Sequence, residues 1–336
     1  MSRPTPAPPA AAADKPRLGI SASLLGQPVR YDGQHKRDPF CVDVLGPFVE
    51  WVPVCPEVEV GMGTPRPSLR LIGLTGAPRL VAERTGEDWT ARMAALAKER
   101  VEALAGLGLS GYVTKKGSPS CGLERVPVFP AGPDGRAAVG RAPRRDRDGM
   151  GAFVRVLSAR LPLLPIEEEG RLFDPGLRES FVERVFAYRR WQALLAAGAT
   201  RGGLVAFHTA HKLALLSHSP DAYRRLGRIV AAAKGRPLRA VTDEYGALFM
   251  AALAKVATRG RHVNVLAHMA GYFKEAPPPD RAELAEAIAD FERGHVPLVV
   301  PLTLLRSQVR RHGVDYLAGQ TYLDPDPKEL MLRNHA

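Results

Sequence analysis

Cys55 in VPVCPE and Cys121 in KKGSPSCG each stand just past an apolar, β-rich run, and Ser23 in ISASLLG stands in the same place after a third. Open α/β sheets carry their chemistry at the carboxyl ends of strands, so three such segments can converge on one crevice. Two thiols and a hydroxyl meeting there point to a metal or iron–sulfur site, because iron–sulfur clusters are held by soft thiolates. Proline beside Cys55 restricts the backbone, and glycine beside Cys121 lets the chain turn tightly enough to aim the sulfur outward. A centre with three protein ligands leaves one iron free for substrate, by the logic of an open catalytic zinc position. The alternative for two distant single cysteines is plain burial in a core.

The elements that must position these residues follow from apolar spacing. Arg17–Ala22 reads as a short buried strand, followed by a glycine- and proline-punctuated loop. Residues 39–46 read as a short helix, with Cys41 as a packed apolar residue on it, and 48–54 as a strand ending at Cys55. Residues 68–73 and 79–84 form two more strands, a hairpin near the site, and 87–107 an amphipathic helix. Residues 111–115 make a strand that runs into KKGSPSCG, 151–161 a helix, and LPLLPIEEEGRL another strand. Strand, helix, strand at this spacing predicts a parallel, Rossmann-like sheet. Near Asp174 the pattern turns helical over 177–197, 204–217, 220–233, 241–258, 263–273, 281–293 and 302–311. Ser219 before Pro220 is a helix start, an N-cap followed by proline at the first position. The fold class expected is therefore an α/β Rossmann-like N-terminal domain, residues 17–170, followed by an all-α C-terminal domain, residues 175–336.

Composition narrows the rest. At 336 residues the chain is long for one core. The first 16 residues are rich in proline and alanine and read as a solvated tail rather than a secretory signal. No apolar run is long enough to span a membrane, and three cysteines do not make a disulfide framework, so a cytoplasmic location is expected. The net charge of +12 favours anionic partners, nucleotides or RNA among them. Its densest stretch, RAPRRDRDG, is interleaved with aspartate and reads as a solvated loop.

ISASLLGQPVRYDGQHKRD, VPVCPEVEVGMGTPRPSLRL and KKGSPSCG together resemble the bacterial domain of unknown function 523, a family that includes thiouracil desulfurase, over about residues 18–164. The resemblance implies a Rossmann-like domain holding a [4Fe–4S] cluster through three cysteines. The fourth iron would take the sulfur of a thiolated base, which leaves as hydrosulfide while water supplies oxygen. Position by position, Cys55 and Cys121 match two of the ligands, and Ser23 stands where the family's ISACLLG motif has the third. A hydroxyl is a harder donor than a thiolate. Three outcomes stay open: ligation by the Ser23 alkoxide, rescue by Cys41, or no cluster. Hydrolytic C–S cleavage also needs a base for water and a proton source, and Glu57 and Ser118 are the candidates. Glu57 would otherwise pair with Arg30 or Arg66, and Ser118 would otherwise cap its own turn. Arg30, Lys115 and Lys116 would offset cluster charge, hold an anionic substrate, or stand as solvated surface charge.

In the second half, HKLALLSHSP, NVLAHMAGYFK, VPLTLLR and QTYLDPDPKELMLRNH resemble domain of unknown function 1722, the YbgA-like family, over about residues 177–335. That resemblance implies a helical fold and no chemistry. Its possible roles are substrate delivery, RNA binding or dimerisation. His208, His211 and His218 fall within about 80° of one another on a continuous helix, but no carboxylate completes a ligand set and separate structural roles are expected. Asn264, His268 and Lys274 are expected to join a buried polar network. The function expected is an iron–sulfur-dependent desulfurase-like protein acting on thiolated nucleobases or related thioamides, with a weakened or lost cluster. The alternative is a non-enzymatic nucleic-acid-binding or regulatory protein.

Overall fold

The computed structural model describes residues 15–132 and 149–334. The terminal tail, apart from its last two residues, and the RAPRRDRDG loop up to Asp148 lie outside the described residues.

β1 (Arg17–Ser21), β2 (Glu50–Val54), β5 (Gly111–Thr114) and β7 (Ile166–Glu168) form a parallel sheet in the order β2-β1-β5-β7. Its central strands, β1 and β5, are buried along nearly their whole length, as parallel strands covered on both faces are. A short helix, α1 (Pro56–Glu59), follows β2 directly. The hairpin β3 (Leu69–Leu74) and β4 (Ala77–Ala82) joins β6 (Val128–Phe129) in a second, three-stranded sheet. Helix α2 (Thr90–Gly106) buries Met93, Ala97, Val101 and Leu104, the stripe that a period of 3.6 residues produces. With α3 (Ala152–Arg160) it covers the hairpin and one face of the parallel sheet.

The remaining helices are α4 (Pro175–Ala196), α5 (Arg201–His218), α6 (Pro220–Ala231), α7 (Leu238–Leu253), α8 (Arg259–Ala270), α9 (Pro278–Arg293), α10 (Val299–His312) and the short α11 (Asp315–Ala318). Capping sets several starts. Asp174 accepts from the Leu177 N–H ahead of Pro175, Thr200 from Gly203, and Ser219 from Ala222 ahead of Pro220, the last as expected. The helix expected to run to residue 258 ends at Leu253 instead, and the next begins at Arg259, earlier than its apolar stripe indicates. Residues 40–45 form one widened turn that buries Cys41 completely.

Helix α4 packs on the sheet. Leu18, Ile20 and Val113 share one core with Phe181, Val182 and Val185 of α4 and with Leu330 and Leu332. Gly111 permits this approach, since a Cβ there would stand 2.7 Å from a methyl of Val185. No described helix is long and apolar enough to cross a membrane.

Candidate functional site

The register of the parallel sheet brings the three expected segments together. Ser21 pairs with Val54, and Ile20 with Val113, so the carboxyl ends of β2, β1 and β5 lie side by side. Ser23 sits in the tight turn after β1, Cys55 just past β2, and Cys121 in the loop after β5. All three line one cavity of about 280 Å³, together with Glu57, Arg66 and Ser118.

The Cys121 loop is fixed from behind. The first N–H groups of α3, which have no partner within their own helix, donate to the carbonyls of Pro119 and Ser120. Gly151 makes that contact possible, since a Cβ there would lie 2.6 Å from the Ser120 carbonyl. The Lys115 N–H donates to Ser21 Oγ at 3.1 Å, which ties this loop to the end of β1. Burial pushes the Cys121 thiol up, with Glu57 and Cys55 adding to the shift, while Ser21 and Ser118 offset part of it. Burial likewise raises the Cys55 thiol, whose sulfur lies 3.7 Å from the Val29 carbonyl.

Glu57 is held at both oxygens. Arg66 donates to Oε2 from Nη2 at 2.6 Å and from Nε at 2.8 Å, and the Ser120 hydroxyl donates to Oε1 at 2.9 Å. The Arg66 side chain is 3% exposed and also donates to the Val29 and Gly63 carbonyls, so it is a structural strut of the cavity. Of the two pairing partners expected for Glu57, Arg66 is the one found, and Arg30 pairs with Asp32 instead. Ser118 accepts the N–H groups of Ser120 and Cys121, capping its own turn, which leaves its hydroxyl hydrogen free to donate. Lys115 pairs with Glu169, and Lys116 is exposed. Two contributors escaped the sequence reading. Ser21 and Ser120 lie beside residues that were singled out, and only the strand register and the α3 contact show that they face the site.

Cys41 is enclosed in the core beneath the site and burial raises its thiol steeply, so it does not replace Ser23 at the cavity. The donors on offer to a cluster are thus two thiols and one hydroxyl. No group of three His, Cys, Asp or Glu among the described residues is arranged to hold a metal ion. The set does not fit a cluster held by three thiolates.

The three histidines of α5 each have their own partner: His208 faces the Tyr245 hydroxyl, His211 the Phe207 carbonyl, and His218 Glu183. Asn264, His268 and Lys274 are exposed, which overturns the buried network expected of them. Their helix is rotated so that His262, Val265, Leu266 and Met269 face inward.

Comparison with known proteins finds two family models that match separate parts of the chain. The 2-thiouracil desulfurase family model matches residues 18–169, and the model for a protein of unknown function, DUF1722, matches residues 212–327. The uncharacterized protein YbgA of Escherichia coli (strain K12) is 32% identical over 158 residues, which are 46% of this chain and 94% of that protein. The chain belongs to the family of YbgA, and the stretch that matches the 2-thiouracil desulfurase model precedes the one that matches DUF1722. Among solved structures, the [4Fe-4S]-dependent thiouracil desulfidase TudS is 32% identical, with a TM-score of 0.39, over 50% of this chain and 100% of that one.

Proposed function

We propose that the cavity at the ends of β1, β2 and β5 is a desulfurase-type site for thiolated nucleobases or related thioamides, with its cluster-holding set reduced to two thiols. The convergence of Ser23, Cys55 and Cys121 on one cavity beside a fixed carboxylate carries this reading, and the 2-thiouracil desulfurase match over the same residues supports it. Replacing thiocarbonyl sulfur by oxygen consumes water and releases hydrosulfide, so it needs a base for the water and a proton donor. Glu57 is the base. Arg66 and Ser120 fix its plane, and Oε1 keeps a lone pair for the water proton. Ser118, whose hydroxyl caps its own turn and interacts with the Cys121 thiol, is the proton donor. In this reading residues 17–170 form the site-bearing unit and residues 175–336 a helical unit, in a cytoplasmic protein.

Anaerobic purification with iron and sulfide assays tests the donor set. The Ser23→Cys variant is expected to hold more of both than the parent, and to release hydrosulfide from 2-thiouracil faster. No gain in either would mean that the pocket is not built for a cluster. The hydroxyl at position 23 together with the net charge of +12 favours a second reading, a nucleic-acid-binding or regulatory protein. RNA affinity that falls steeply with salt would support it, and a flat salt response would remove it.

A further inference from the structure

The cavity at the strand ends has an aromatic group in its wall that the proton-moving residues leave unused. Val29, Arg30 and Tyr31, from the loop that follows the Ser23 turn, line it beside Cys55, Glu57 and Arg66. The Tyr31 residue is 45% exposed. It joins none of the apolar cores, and its hydroxyl makes no hydrogen bond among the described residues. Single exposed apolar side chains are common on protein surfaces. This ring differs from them because the backbone that carries it is fastened down.

The fastening runs through the same strut that orients Glu57. The Arg66 N–H donates to the Tyr31 carbonyl at 2.9 Å, and Arg66 Nη2 donates to the Val29 carbonyl at 2.9 Å. The chain then reverses at Gly33, whose φ of 76° lies in the left-handed region that glycine adopts freely. The Gly33 N–H donates to the Arg30 carbonyl at 2.9 Å, and the Arg30 N–H to the Gln34 carbonyl at 3.1 Å. Asp32 ties the same turn with its side chain. It accepts the Gln34 N–H at 3.1 Å, and Nε and Nη2 of Arg30 each at 3.3 Å.

The Arg30 guanidinium, so held, lies over the Tyr31 ring, 5.5 Å from its centroid, within cation–π distance. Arg30 already has Asp32 as its counter-ion, so this part of the wall offers a flat π surface rather than a free charge. A ring anchored in this way loses little freedom when a ligand meets it.

Thiolated nucleobases and acyclic thioamides share the reacting thiocarbonyl and differ in the flat conjugated ring. Such a ring stacks on an aromatic side chain, and an acyclic thioamide has no ring to stack. We infer that Tyr31 is the platform on which the substrate ring lies, and that it makes the cavity prefer conjugated cyclic thioamides to acyclic or saturated ones. The inference rests on the desulfurase reading of this cavity. Tyr31 serves binding and moves no proton, so its loss should raise KM and leave kcat.

Calorimetric titration of the full chain with 2-thiouracil and with dihydro-2-thiouracil tests it. The dihydro compound keeps the thiocarbonyl and both N–H groups but loses the conjugated ring. 2-Thiouracil should bind about tenfold tighter, the order of one base–aromatic stack. Tyr31→Ala should weaken 2-thiouracil by about the same factor and shift the dihydro compound by less than about twofold. Tyr31→Phe, which keeps the ring, should bind both as the parent does. Should Tyr31→Ala unfold, Tyr31→Leu takes its place. Four results would each overturn the inference: no saturable binding of 2-thiouracil up to about 10 mM, equal binding of the two compounds, equal weakening of both in Tyr31→Ala, or the same loss in Tyr31→Phe. Hydrosulfide release from 2-thiouracil by the Ser23→Cys variant separates the platform from the reading beneath it. Ring-selective binding without release would support the platform and count against the desulfurase reading. Release with a KM that Tyr31→Ala leaves unchanged would keep that reading and overturn the platform.

Discussion

At Glu57 one carboxylate answers to two kinds of donor, a guanidinium on one oxygen and a hydroxyl on the other. Arg66 is the more deeply buried partner, and removing it would leave an ionised oxygen beside a mostly enclosed wall. Breaking a buried pair from one side costs about 3 kcal/mol or more. Arg66→Ala and Glu57→Ala should therefore each destabilise the protein, and the double variant by about 2 kcal/mol less than their sum. Urea unfolding of the four proteins measures this, and additive losses would show that the pair is not coupled. The sequence made Glu57 and its pairing with Arg66 legible, since both lie in the quoted motif. Ser120 was not, because its role depends on a contact between segments more than 60 residues apart, as the 2.9 Å bond from Ser120 to Glu57 shows.

Helix and strand identities were readable wherever the apolar period was long, as in α2, α5 and α9. The boundaries were not, where a polar residue turns inward. Residues 259–262 begin α8 although their sequence, RGRH, shows no apolar stripe, because His262 is buried through its bond to Tyr322. Glu179 and Glu183 sit on the inward face of α4 for a similar reason, each paired with Arg333 from far along the chain. The contact between α4 and the sheet was likewise hidden, since the strand over 111–115 was expected but nothing in it showed that Gly111 is the flat place on which Val185 rests. Gly111→Ala should push α4 away from β5 and cost about 2 kcal/mol, the usual price of overpacking. Chemical unfolding would check this, and an unchanged midpoint would mean that the helix shifts freely.

Across the whole molecule, buried ionisable groups pull stability in opposite directions with pH. Burial raises Glu179 to about 7, even against Arg333. A carboxyl raised in the folded state contributes stability that is present below its unfolded value, near 4.5, and lost as pH rises through 7. His208 and His262 have the opposite sign: burial lowers them to about 4 and about 3, so their contribution is present above 6.5 and lost in acid. Glu179→Gln removes only the first effect. Its stability relative to the parent should rise by about 3 kcal/mol between pH 4.5 and 7.5. Urea midpoints at those two pH values test this, and a constant difference would contradict it.

Leu18 and Ile20 of β1 share a core not only with Phe181, Val182 and Val185 of α4 but also with Leu330 and Leu332, far along the chain. During synthesis α4 can cover that side of the sheet only in part, so a strip of oily surface stays bare until the segment bearing the two leucines has been made.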